Sequence, residues 1–142
     1  MEPSERVEEG WINVRMIIEA QGKPERHVIR SLEAIRDQIK AMKVVEVYEV
    51  KMEPPEEQEE GLVSGLVDLG MVVKDFDVLM QLVLNYGPSA TIVLEPEEIK
   101  VNFRELESAI NDVSNFLHRI SQENLTLRLQ KVLEAKGISL DD

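Results

Sequence analysis

The groups in this chain best placed to do chemistry form a basic cluster at the start of an expected helix. Gly22-Lys23-Pro24 leads into Glu25, Arg26 and His27, with Arg30 one turn further on. A helix start carries unpaired N–H groups and a partial positive charge. Lys23, Arg26, His27 and Arg30 therefore make a candidate site for a phosphate-like or carboxylate anion. Glu25 in the same turn opposes such a ligand, and the alternative is a set of solvated bases paired with neighbouring acids.

Other chemistry finds less support. His27 and His118 are the two histidines, neither sits in a His-x-x-x-His pair, and no cysteine is present to complete a zinc site. The acidic stretch from Glu53 to Glu60 could hold a hard cation through carboxylates. It lacks the alternating Asp/Asn ligands and mid-loop glycine of a calcium loop, and reads as a solvated loop. Gly-x-Ser-x-Gly, Ser-x-x-Lys and the glycine-rich phosphate loops do not occur. No catalytic residue, metal site or cofactor is assigned on these grounds.

The elements that must carry these groups follow from periodicity. Residues 11–20 alternate, with Ile12, Val14, Met16 and Ile18 on one face and Trp11, Asn13, Arg15 and Ile17 on the other, which predicts a strand with one buried face. Val28, Leu32, Ile35, Ile39 and Met42 recur at helical spacing and predict a helix over 24–42, with Pro24 in its first turn. Residues 44–52 read as a second strand running into Pro54-Pro55 and the acidic loop. A third strand is expected over 61–73, with Val63, Val67, Leu69 and Met71 on one face. Gly65 and Gly70 within it suggest bulges or close backbone contacts. Asp75 is the expected N-cap of a helix that stops at Tyr86-Gly87-Pro88, and a fourth strand spans 89–94.

Asn102 and Glu105 form a capping-box pattern ahead of Phe103, Leu106, Ile110, Val113, Leu117 and Ile120. The apolar stripe then shifts to Leu125, Leu129 and Val132, so one long helix or two shorter ones are expected up to Gly137, with Ile138 touching Leu133 as in a Schellman ending. The expected fold is α+β: a ferredoxin-like β-α-β-β-α-β antiparallel sheet with its first and third strands central, followed by that helical extension. The 142 residues suit one domain, with 11–101 as the core and 102–136 as the extension.

Composition narrows the function. The formal net charge is −12 and no segment is basic, which disfavours nucleic acid and anionic membranes as partners. The acidic N-terminus does not read as a secretory signal, no apolar run is long enough to span a bilayer, and the absence of cysteine suits a reducing cytoplasm. The helix over 75–86 is apolar on more than one side. Met80 and Leu84 lie away from Leu79, Leu82 and Val83, and Phe116 forms a second apolar line on the terminal helix with Ala109. Met80, Leu84 and Phe116 are therefore the candidate interface of a homo-oligomer, most simply a dimer.

The pattern over 61–101, an apolar strand and helix followed by Tyr86-Gly87-Pro88, a strand and Leu94-Glu95-Pro96, resembles the C-terminal extension of WYL-domain transcriptional regulators. That resemblance implies a ferredoxin-like or ACT-like half-domain and a sensing or oligomerising role. The helix-turn-helix and the WYL core of those regulators have no counterpart here. Gly22-Lys23-Pro24 with the proline-interrupted acidic stretch resembles small uncharacterised archaeal ferredoxin-like proteins, which implies no particular activity. The first expectation is a non-enzymatic binding, regulatory or oligomerisation module that takes a small anionic ligand or a basic protein partner. The rivals are a small enzyme with a carboxylate or histidine site in an oligomer cleft, and an acidic subunit of a hetero-complex.

Overall fold

Alternation of apolar and polar residues builds the first strand, β1 (Ile12–Gly22), and burial follows it: Ile12, Val14, Met16 and Ile18 are buried, while Asn13, Arg15 and Ile17 are half-buried. The computed structural model describes residues 2–137. A short helix, α1 (Pro3–Glu8), precedes β1. After it come α2 (Glu25–Lys40), β2 (Val45–Glu57), β3 (Val63–Val73), α3 (Phe76–Tyr86), β4 (Ala90–Glu95) and α4 (Phe103–Ala135). The chain divides into two compact units, Met1–Val101 and Asn102–Asp142.

In the first unit the strands form one antiparallel sheet in the order β2-β3-β1-β4, so β1 and β3 are central, as the element order implied. Their register pairs Val14 with Met71, Met16 with Leu69 and Ile18 with Val67, all of them buried. Helix α2 lays Val28, Leu32 and Ile39 onto this face, and α3 adds Leu79 and Leu82. Burying each such side chain removes apolar surface from water, worth about 1.5–3 kcal/mol apiece before conformational entropy is subtracted. Asp75 caps α3 by accepting from the Val78 amide at 2.9 Å, and Gly87 closes it in the left-handed region (φ 52°), where a side chain would be strained.

Several expectations are corrected. Strand β2 does not end at Met52. It continues through Pro54-Pro55 to Glu57, so the acidic stretch is largely edge strand rather than loop, and only Glu59–Gly61 forms a turn. The reason is position: among the described residues β2 pairs only with β3, and its register shifts between Glu53 and Glu56. Prolines that donate no hydrogen bond fit such a bulged edge. The third strand opens at Val63 rather than Gly61, and Pro24 is the residue before α2 rather than its first turn. Helix α1 was not anticipated.

Among the described residues the second unit holds one uninterrupted helix of 33 residues, not two. No Gly or Pro lies between Ser121 and Asn124, so the shift in the apolar stripe changes which face is greasy without breaking the backbone. Asn102 accepts from the Glu105 amide at 2.9 Å while its Nδ2 donates to the Glu105 carboxylate at 2.8 Å, as the capping pattern predicted. The expected Ile138–Leu133 contact lies outside the described residues.

Candidate functional site

The sheet face opposite α2 and α3 carries a polar network that crosses three strands. Arg15 of β1 donates from Nε to Asp68 Oδ1 of β3 at 3.0 Å and from Nη1 to Glu49 Oε2 of β2 at 3.0 Å. Its other terminal nitrogen, Nη2, is shielded from solvent and has no hydrogen-bond partner. Tyr48 occupies a register shift in β2 opposite Gly70, and its ring fills the space a side chain at Gly70 would take: a Cβ there would stand 3.0 Å from Tyr48 Cε2. Tyr48 Oη donates to Asn13 Oδ1 at 2.6 Å. Paired cations hold Glu49 below the usual carboxylate range, chiefly through the Arg15 hydrogen bond and then that of Lys51.

At the other end of this face α1 packs against β1 and β3, where Val72 is buried. The Arg6 guanidinium lies 4.4 Å from the centre of the Trp11 ring, donates from Nε to Glu46 Oε1 at 3.0 Å and from Nη1 to Glu9 Oε2 at 2.9 Å. Hydrogen bonding to Arg6 lowers the Glu46 carboxyl in turn. These contacts give α1 its reason to exist: six residues are too few to be helical by propensity alone.

The basic cluster is open to solvent. Lys23, Arg26, His27 and Arg30 are all exposed, and no side-chain cap closes the start of α2. Lys23 runs alongside Gly61, whose added Cβ would meet its Cε at 3.6 Å. On the edge of the sheet a hollow of about 170 Å³ is lined by Glu19, Glu53, Glu56, Gln58 and Ser64 among others, and by neither histidine. Among the described residues no group of three or more His, Cys, Asp or Glu is arranged to hold a metal ion, and no charged side chain is buried.

The three candidate interface residues are half-buried: Met80 and Leu84 on α3, and Phe116 on α4, where the Arg119 guanidinium stands 6.0 Å from its ring centre. Larger apolar exposure lies elsewhere. On α4, Phe103 is 75% exposed, Leu106 50%, Ile110 56%, Leu117 57%, Ile120 39% and Leu127 54%. On β4, Ile92, Val93 and Leu94 are each about half exposed. Among the described residues no helix is long and apolar enough to cross a membrane.

A family model, that of the MJ0538 family, matches residues 13–138. The chain belongs to the MJ0538 family. The match runs from β1 past the end of α4, so it takes in most of both units of this family member. The family takes its designation from an archaeal protein, in keeping with the archaeal resemblance read from Gly22-Lys23-Pro24. A comparison with curated proteins found none that matches the chain. The likeness of residues 61–101 to WYL-domain regulators has no counterpart among these matches.

The Arg15 network was missed at the sequence level. Alternation placed Arg15 and Asp68 away from the core, but Glu49 reaches the same cluster only because β2 shifts register beside it. The one usable signal was the pairing of a lone arginine with an aspartate on the polar faces of the two strands expected to be central.

Proposed function

We propose that this protein is a non-enzymatic, self-associating binding or regulatory module of the cytoplasm. The sheet unit is the ligand- or partner-binding half, and the long helix joins copies into a homo-oligomer, with a symmetric dimer the simplest closed form. The observation that carries this reading is the line of six apolar side chains along α4, each at least 39% exposed in the single chain. Soluble monomers seldom leave so much contiguous apolar surface in water. Met80 and Leu84 on α3 and Phe116 on α4, all half-buried, are assigned to the contact between copies on the same reading.

The sheet unit is read as ferredoxin-like. Supporting this are the succession β1-α2-β2-β3-α3-β4 and a strand order with β1 and β3 central. Its resemblance over 61–101 to the extension of WYL-domain regulators favours a sensing role. The open start of α2, with Lys23, Arg26, His27 and Arg30 around it, is where a small anionic ligand would bind.

Sedimentation at micromolar concentration tests the reading. A mass near twice 16.2 kDa is expected. A mass of 16.2 kDa at every concentration would show that the exposed line does not join copies.

A further inference from the structure

Six of the exposed apolar side chains of α4, Phe103, Leu106, Ile110, Leu117, Ile120 and Leu127, fall into a heptad repeat with the half-buried Val113. Taking Phe103 as position a, the a positions are Phe103, Ile110, Leu117 and Asn124, and the d positions are Leu106, Val113, Ile120 and Leu127. Seven of these eight are apolar, and all eight lie in one unbroken helix. The run covers about three and a half heptads, a length at which a sustained a/d pattern indicates a coiled coil. Spacing of 3.5 residues differs from the broader stripe a helix needs when it lies on a sheet, because a strict a/d line is a narrow seam suited to another helix. Leu125, Leu129 and Val132 fall at outer positions of this register, and Lys131 and Glu134 occupy the next a and d, so the seam ends at Leu127.

We propose that the occupant of this seam is a second copy of the chain, paired parallel and in register with the first. This rests on the self-association reading above and adds its geometry. Two polar features select it. Asn124 is the one polar residue within the seam, and only a parallel in-register pair sets it against its own counterpart, where two side-chain amides satisfy each other. The antiparallel alignment that overlaps the same seam sets Asn124 against Leu106 and leaves the amide unpaired. A lone asparagine at position a is a known device for fixing register and a two-stranded state.

The second feature is charge. Glu123 is at position g and Arg128 at the following e, so each Glu123 stands beside Arg128 of the partner subunit, twice per dimer by symmetry. Neither forms an ion pair within the chain among the described residues. The preceding g and e positions, Ala109 with Ser114 and Phe116 with Ser121, hold no charges that would repel. Phe116 therefore flanks the seam, next to Leu117 and Ile120.

The natural absence of cysteine makes the test direct. Ile110→Cys and Leu127→Cys, made singly, place thiols about 26 Å apart along the helix. A parallel pair brings each residue close to its own counterpart, within the Cα separation a disulfide spans. Both variants should convert to covalent dimers under mild oxidation. An antiparallel pair can cross-link at no more than one of the two positions.

Charge reversal gives an independent reading at exposed positions that do not threaten folding. Glu123→Arg and Arg128→Glu should each weaken the dimer about tenfold, and the double reversal should restore it to within about threefold. Cross-linking at one position or neither, or single reversals that associate like the wild type, while the wild type still sediments as a dimer, would overturn the parallel seam and leave self-association through another surface. A wild-type monomer at all concentrations would overturn both proposals.

Discussion

Arg15 and Asp68 are joined diagonally across the two central strands: Arg15 Nε donates to Asp68 Oδ1 at 3.0 Å, although the residue opposite Arg15 in register is Gly70 and the one opposite Asp68 is Ile17. The absence of a side chain at Gly70 leaves room for the Tyr48 ring, and the arginine reaches past it to Glu49 on the far strand. Three strands are thereby linked through one guanidinium.

That link gives the protein an acid-sensitive component of stability. Hydrogen bonding to Arg15 lowers Glu49 below its ordinary value of 4.5, and hydrogen bonding to Arg6 lowers Glu46 in the same direction. A carboxyl whose folded value is depressed contributes fully above its unfolded value and loses that contribution as the pH falls through the folded one. Urea midpoints measured from pH 7 downward should hold steady and then decline below about 4.5. Glu49→Gln should flatten part of that decline, and an unchanged profile in this variant would show that the pair does not form in solution.

Leu69 sits at the centre of the sheet, fully buried opposite Met16. Leu69→Ala removes buried carbon and leaves a cavity, so unfolding free energy should drop by about 2–5 kcal/mol. A change under about 0.5 kcal/mol in a denaturant titration would place this strand face outside the core.

Gly65 lies beneath α2, where an added Cβ would meet Leu32 Cδ1 at 3.0 Å and Val28 Cγ1 at 3.2 Å. Gly65→Ala should therefore cost about 1–3 kcal/mol through overpacking, despite alanine's lower backbone entropy cost. A stabilised variant in thermal unfolding would mean that α2 can lift away from the sheet freely.

Phosphate titration followed by the amide signals of residues 22–27 examines the start of α2. Saturable shifts that weaken as salt is added are expected, because exposed charges dominate the cluster of Lys23, Arg26, His27 and Arg30. No saturable shift up to millimolar phosphate would remove the anion site.

The elements that were readable from the residues are those whose local signals agree with their burial. Ile12 through Ile18 alternate and are buried alternately, and Asp75, Gly87 and Asn102 terminate helices as their side chains and backbone preferences dictate. The rest depends on partners distant in sequence. Prolines argue against a strand until an edge position makes their missing N–H harmless, so β2 beyond Met52 was not readable. Helix α1 exists because Arg6 meets Glu46, 40 residues away. The heptad on α4 was present as a three-and-four alternation, but its availability to a partner became visible only once the exposure of each residue was known.

The two borders of the sheet are unlike. Along β2, Pro54 and Pro55 withhold donors, two register shifts bend the backbone, and Lys51, Glu53, Glu56 and Glu57 surround it with charge. Along β4 the border is six residues long and bears Ile92, Val93 and Leu94 without a proline or an internal charge. A strand presented by another molecule meets obstruction on one side and a receptive apolar border on the other. A sheet with a single receptive border can be joined once, β4 to β4, and the union then has none left. Extension of the sheet by successive edge pairing therefore stops at two copies.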